Sequence, residues 1–294
     1  MRCLWLAEAG ATKTNWLCAL EGEKPDQWRT VQLPGLNAEA EGWTQAEETL
    51  RTAARFLLTE AGWPAPTELY YYGPALHRPE AQMRMQHLLA DVWPLPPQKV
   101  LVFHDLLGAA RGAYPQGKGI VAILGTGSNC AFWDGEAIRR QAGGHGYLLG
   151  DEGSGADIGR HLVSALLHDE VPREIASRLW AEGPYSSPLE LRQAVYSAQR
   201  PSAFLAGLVP LIVPLADHPW VRALVQNRFE AFVRRTWARW PGSRPIRYIG
   251  GVAQAFQPIL RIVTEAYGGD FQGVVPNNQL AYQLLSYHLQ QKKN

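Results

Sequence analysis

The sequence predicts an α/β chain made of two similar halves, with ligand-binding turns gathered at a cleft between them. Three observations carry this. Each half opens with closely spaced strand-like runs joined by hairpin turns. Each half then adds strands that alternate with helical segments, the pattern of a sheet extended by parallel strands. Glycine turns fall at strand ends in both halves, and an interdomain cleft is a common place for ligands.

The elements follow in order. Residues 2–8 form a short apolar run without helical period, the turn Gly10-Ala11-Thr12-Lys13-Thr14 follows, and Asn15 to Leu20 is again strand-like. Glu21-Gly22-Glu23 turns the chain into a third strand, Trp28 to Leu33, so an antiparallel meander is expected. After a loop at Pro34-Gly35-Leu36-Asn37, apolar residues at 43, 46, 50, 53, 54, 57, 58 and 61 have the spacing of an amphipathic helix, stopped by Gly62-Trp63-Pro64. Leu69 to Tyr72 is a strand ending in Gly73-Pro74, Glu80 to Leu89 a helix, and Val100 to Phe103 the next strand. Asp105 stands where that strand gives way to a helix, Leu106 to Tyr114.

The theme then repeats. Ile120 to Leu124 ends in the polar turn Gly125-Thr126-Gly127-Ser128-Asn129, Cys130 to Trp133 alternates, and Asp134-Gly135 sends the chain back through Ala137 to Gln141. A second turn, Gly150-Asp151-Glu152-Gly153-Ser154-Gly155, opens a helix with the capping pair Ser154 and Asp157. Residues 170–240 read as helices broken by prolines. Ile246 to Ile249 is a strand ending in Gly250-Gly251, a helix runs to about Tyr267, and Phe271 to Val275 is a last strand. The final helix, Gln279 to Leu289, is expected to return to the first domain. The domains are therefore 1–104 with 278–294, and 105–277 with a helical insertion.

At 294 residues, 46% hydrophobic and 19% charged, the chain can bury two cores. A net charge of +1 without a basic cluster argues against a nucleic-acid partner. No run approaches the ~20 apolar residues of a membrane span, and no signal peptide is expected, since Glu8 interrupts the start. Cys3, Cys18 and Cys130 lack metal-ligand spacing and read as reduced cytoplasmic thiols. The residues GAYPQGK at 112–118 imitate a P-loop but lead into Gly119 and follow a helix, the reverse of the required context.

The chemistry resides in the turns. Gly125 and Gly127 let backbone N–H groups approach an anion, with Thr126 and Ser128 adding hydroxyls. Gly10, Ala11, Thr12 and Lys13 offer the same to a nucleotide phosphate. Asp105 either caps its helix or takes a proton from a substrate hydroxyl. Asp151 and Glu152 either complement a helix dipole or bind sugar hydroxyls or a metal's water. Taken singly, each turn is ordinary hairpin or capping chemistry. Together they point to function.

These residues also carry a resemblance. Thr12-Lys13-Thr14, Gly35-Leu36-Asn37, Tyr72-Gly73, Asp105 through Arg111, Gly125 through Asn129, Gly150 through Gly155 and Gly250-Gly251-Val252-Ala253 occur in the order found in N-acetylglucosamine kinase-like proteins. These belong to the BadF/BadG/BcrA/BcrD ATPase group of the sugar kinase, Hsp70 and actin superfamily. The resemblance implies two ribonuclease-H-like, actin-like ATPase domains with ATP and sugar meeting in the cleft. It implies that Gly10–Lys13 and Gly125–Ser128 hold phosphates, that Gly250–Ala253 lies by the adenosine, and that Asp105 is the base. Asn37, Gly73, Asn129, His145, Asp151 and Glu152 would join Asp105 around the sugar. Glu8 replaces the family's usual Asp, which helps hold Mg²⁺ through water, and His145 replaces a sugar-packing Trp of animal members. The activity expected is ATP-dependent phosphorylation of an N-acetylated amino sugar in cytoplasmic salvage of cell-wall or chitin-type sugars. N-acetylglucosamine at its 6-hydroxyl comes first, with N-acetylmuramate or glucosamine as alternatives, and a homodimer is left open. A non-catalytic sugar or nucleotide sensor is the competing class. A radical-dehydratase activator is disfavoured, because the cysteines offer no cluster site.

Overall fold

The computed structural model describes residues 2–242, 245–276 and 279–291. The chain separates into two compact units, 1–116 with 278–294 and 117–277. The expected boundary at 277/278 lies outside the described residues. The other change of unit falls after residue 116, not 104, because the helix that follows Asp105 packs on strands of the first unit.

In the first unit, β1 (Cys3–Ala9), β2 (Lys13–Leu20) and β3 (Arg29–Pro34) form an antiparallel meander. A short helix, α1 (Ala38–Glu41), leads into α2 (Trp43–Arg55). The chain then crosses to β4 (Glu68–Gly73), parallel to β1, and through α3 (Pro79–Val92) to β5 (Val100–His104), parallel to β4. Parallel partners need such long crossovers, whereas hairpins do not. The sheet order is β3-β2-β1-β4-β5. The helix α4 (Asp105–Ala113) follows β5 at once.

In the second unit, β6 (Gly119–Leu124), β7 (Ser128–Trp133) and β8 (Ile138–Gly143) repeat the meander. The connection to the next strand carries α5 (Gly146–Leu149), α6 (Gly155–Leu167), α7 (Arg173–Glu182), α8 (Pro188–Ser197), α9 (Pro201–Gly207) and α10 (Pro219–Arg235). Then β9 (Pro245–Ile249) runs parallel to β6, and α11 (Gly251–Ala255) and α12 (Gln257–Ala266) lead to β10 (Asp270–Val275), parallel to β9. Read from the third strand of the meander, the order is β8-β7-β6-β9-β10, the first unit's order repeated. The terminal helix α13 (Leu280–Gln291) packs on α4, β1 and β2, as the sequence leads one to expect.

The apolar periodicities are realised. α2 buries Ala46, Leu50, Ala53 and Ala54 and widens into a π-helical turn, Phe56–Glu60, that buries Leu57. Each buried leucine contributes about 1.5–3 kcal/mol. Trp5 is the hub of the first core, meeting Trp63 edge-on at 5.3 Å and Trp16 at 6.3 Å between ring centroids. The second core collects Phe229, Phe232 and Val233 of α10 with Ile158 and Leu162 of α6 against Tyr248 of β9. The prolines of 209–215 fall in two 3₁₀ turns rather than simple breaks. The sequence reading missed α5, a single turn between two glycines.

Candidate active site

The first unit's polar residues collect at the carboxyl ends of adjacent parallel strands, where open α/β sheets bind ligands. Glu8 of β1 is in register with Tyr72 of β4, and Gly73, the last residue of β4, is in register with His104 of β5. Asp105 comes next as the first residue of α4. Sheet order thus draws Glu8, Gly73 and Asp105 to one edge.

Asn15 sits directly across from Glu8 on β2 and donates its amide to the Glu8 carboxylate at 2.7 Å. Gln32 in turn donates to the Asn15 carbonyl oxygen at 3.0 Å, which fixes the amide's orientation. Burial pushes the Glu8 carboxyl up to about 7, against the pull of Asn15 and Lys13 and with the Asp105 charge adding to the rise. Asp105 is also raised, chiefly by burial, although it accepts the Leu106 N–H at 2.7 Å and His77 favours its charged form. His104 caps α4, its Nδ1 accepting the Leu107 N–H at 3.1 Å, so the neutral ring carries its proton on Nε2. Burial, His77 and Arg111 bring the His104 imidazole down to about 4. The rings of His77 and His104 lie 4.9 Å apart.

The turn Gly10-Ala11-Thr12 is closed by the Gly10 N–H on the Lys13 carbonyl at 2.8 Å, and Lys13 is already the first residue of β2. The loop after β3 braces it. The Leu36 N–H donates to Gly10 O at 3.1 Å, and a Cβ on Gly35 would come within 2.5 Å of the Thr12 carbonyl carbon. Asn37 caps α1, its carboxamide oxygen accepting the Ala40 N–H at 3.2 Å. Gly73 is buried, with the Tyr71 ring 2.6 Å from where its Cβ would stand, so it can offer a ligand only main-chain atoms.

In the second unit the turn Gly125-Thr126-Gly127 is closed by the Gly125 N–H on Gly127 O at 3.0 Å. The start of α6 is tied to it: Gly155 N–H donates to Gly125 O at 2.8 Å and Ala156 N–H to Thr126 O at 3.1 Å. Gly153 N–H is held by Asp157 Oδ2 at 3.0 Å, and Ser154 Oγ accepts Asp157 N–H at 3.1 Å, the expected cap. With the Ser154 N–H on Asp151 O at 3.1 Å, these bonds consume the backbone donors of the Gly153–Ala156 segment, so it braces the Gly125–Gly127 turn rather than forming another anion cradle. Ser128 differs: it is buried and its hydroxyl has no partner. A buried hydroxyl left unpaired is costly, and an anion at the turn would satisfy it.

Asp151 has a left-handed backbone, φ 57°, and its Oδ2 lies 2.8 Å from the position of a Gly127 Cβ. It accepts the backbone N–H groups of Ser128 and Gly146, yet burial leaves its carboxyl raised, while exposed His145 favours its charge. Asn129 bonds the Cys130 N–H through Oδ1 at 2.9 Å, and its Nδ2 lies 2.9 Å from where a Gly144 Cβ would stand. Asp151, Asn129 and His145 thus gather around one turn. Glu152 does not join them in the same manner. It is buried in an ion pair with Arg235 of α10.

Gly250 has φ 115°, and a Cβ there would lie 2.3 Å from Leu124 O and 3.0 Å from Gly125 N. Gly250 and the start of the Gly125–Gly127 turn therefore touch. Gly251 is exposed, but Val252 and Ala253 turn their side chains into the core and can meet an adenosine only through their backbone.

Sequence reasoning missed Asn15, Gly35 as a brace and Arg235 as a partner. A polar residue inside the apolar run after Lys13 was a usable signal for Asn15. Nothing local marks Arg235. Hard oxygen donors such as Glu8 and Asp105 fit a divalent cation that keeps several waters. Among the described residues no group of three or more His, Cys, Asp or Glu could hold a metal alone, so phosphate and water oxygens would complete the shell. Among the described residues no helix is long and apolar enough to cross a membrane.

No family model matches the chain. Its structure is similar to that of a provisionally named N-acetylglucosamine kinase from Porphyromonas gingivalis, with TM-score 0.86 and 30% identity, covering 99% of this chain and 100% of that one. A second provisionally named N-acetylglucosamine kinase, from Chromobacterium violaceum, shares the fold at TM-score 0.65 and 22% identity over 98% of this chain and 99% of that one. The N-acetylmuramic acid/N-acetylglucosamine kinase of Clostridium acetobutylicum is 41% identical over 69 residues, 24% of this chain and 22% of that protein. That match spans about a fifth of the relative's length.

Proposed function

From the premise that the chain belongs to the N-acetylglucosamine kinase-like proteins, we propose that it transfers the γ-phosphoryl group of ATP to the 6-hydroxyl of N-acetylglucosamine. The observation that carries the reading is Asp105, a carboxylate that begins α4 directly after β5 and whose burial raises its proton affinity. A carboxylate with raised proton affinity is a better general base for a sugar hydroxyl. Asp105 would accept the hydroxyl proton as the oxygen attacks the γ-phosphorus in line and ADP departs. The turn N–H groups of 10–12 and 125–127, Lys13 and the Ser128 hydroxyl would bind phosphate oxygens and stabilise the charge spread over them in the transition state. Gly250 and Gly251 would lie by the adenosine. Asn37, Asn129 and Asp151 would fix the sugar so that its hydroxyl reaches Asp105, and the main chain at Gly73 would complete the contact. Mg²⁺, held through water by Glu8, would neutralise phosphate charge when bound. The setting proposed is cytoplasmic amino-sugar salvage.

A second substrate has its own support. The Clostridium relative acts, by its name, on N-acetylmuramic acid as well. One experiment separates the readings: ADP release with N-acetylglucosamine, N-acetylmuramate, N-acetylmannosamine, glucosamine and glucose. N-acetylglucosamine is expected to give the highest kcat/KM, with N-acetylmuramate next. Background release with every sugar would refute the kinase and favour a sensor.

A further inference from the structure

A cavity of about 320 Å³ lies between α2 and the face of the first sheet, and its Tyr71 stands beside Gly73 at the strand ends that carry Glu8 and Asp105. Its walls are apolar, with Trp16 and Leu36 on the sheet side and Leu50 and Phe56 on the helix side. Two hydroxyls in the lining, Thr14 Oγ1 and Tyr71 Oη, are buried and have no hydrogen-bond partner. Burial and the neighbouring Glu41, Asp105 and Glu8 charges hold the Tyr71 phenol protonated, so it is a donor. The rim residues Gln45, Glu48 and Thr52 are exposed, which leaves a route from solvent.

We propose that this cavity binds a small neutral molecule with an apolar body of one or two rings and a single hydroxyl or carbonyl end that pairs with Thr14 and Tyr71. An apolar cavity of ~150 Å³ stays dry and accepts benzene, so twice that volume takes a substituted ring. Thr14 and Tyr71 are the buried polar groups of the lining, and its other polar residues, Gln45, Glu48, Thr49 and Thr52, all stand on α2 at the solvent side. Glu48 at the rim disfavours an anion. The two hydroxyls, each costly to leave unpaired, select for one polar end over a pure hydrocarbon.

The test uses the full chain with 4-ethylphenol and ethylbenzene, titrated by calorimetry. Saturable binding of 4-ethylphenol at one site in the millimolar range or tighter is expected, at least fivefold tighter than ethylbenzene. Thr49→Phe, and separately Thr52→Phe, should each fill the mouth and weaken 4-ethylphenol at least tenfold while melting within a few degrees of wild type. Non-saturable binding, or undiminished binding in the folded variants, overturns the site. Equal affinity for the two probes overturns the assigned polar end. A wild-type crystal soaked in 4-ethylphenol keeps the test independent of the variants: density for the phenol between Thr14 and Tyr71 supports the site, and ordered water only overturns it.

Discussion

Gly35 and Gly10 are packed backbone to backbone: a Cβ on Gly35 would fall 2.6 Å from the Gly10 carbonyl oxygen, which already accepts the Leu36 N–H at 3.1 Å. The end of β3 thereby sets the shape of the β1–β2 turn. Gly35→Ala should push the turn out of place, with a loss of about 1–3 kcal/mol in stability and a rise in the KM for ATP. Denaturant melts and ADP release at varied ATP read both. An unchanged KM in a variant that is measurably less stable would show that the turn holds no phosphate.

Glu8 links stability to pH. Its folded pKa, about 7, lies above the ordinary 4.5, so the native state holds the proton longer than the unfolded chain does. Stability from this group is therefore full below about pH 4.5 and falls as pH rises to about 7. Glu8→Gln removes the loss, and the variant should be more stable than wild type by on the order of 1–3 kcal/mol at pH 8, with the gap closing toward pH 5. The same variant should need more Mg²⁺ and turn over more slowly, whereas Glu8→Asp should retain or improve activity. Melts and ADP release across pH and Mg²⁺ decide it. If both variants match wild type in rate and Mg²⁺ dependence, Glu8 has no metal role.

Asp105→Asn keeps the size of the side chain and loses the base. The kcat should fall ~10²–10⁴-fold with the sugar KM changed by only a modest factor. A variant keeping more than half of wild-type kcat would exclude Asp105 as the base.

Glu152 and Arg235 make the last case. Glu152 is buried and the Arg235 side chain is 62% exposed, so solvent weakens the pair but cannot reach the carboxylate well. Arg235→Met should cost about 1–2 kcal/mol, and adding Glu152→Gln should recover part of it, because the uncompensated charge is gone. A double-mutant cycle by thermal melting gives the coupling. Strict additivity would mean that the pair contributes nothing.

The sequence by itself determined the family and all ten strands among the described residues, but not every helix: α5 went unread. Hairpin runs without helical period, an α2 stripe that recurs at 46, 50, 53 and 57, and glycine turns at strand ends are local signals, and each has a local cause in backbone or side-chain chemistry. The motif order that marks the N-acetylglucosamine kinase-like proteins is likewise a one-dimensional fact. Which strand ends lie side by side is not. Only the sheet order β3-β2-β1-β4-β5 brings Glu8 to the same edge as Asp105, nearly a hundred residues later, and lets burial raise both carboxyls. Tertiary packing also sorted neighbours that look alike in sequence. Asp151 rests on the Gly125–Gly127 turn while Glu152 is consumed by Arg235, and Val252 and Ala253 face the core while Gly251 stays exposed. The reason is the same throughout: a side chain's protonation and availability depend on what removes water from it, and those groups come from distant parts of the chain.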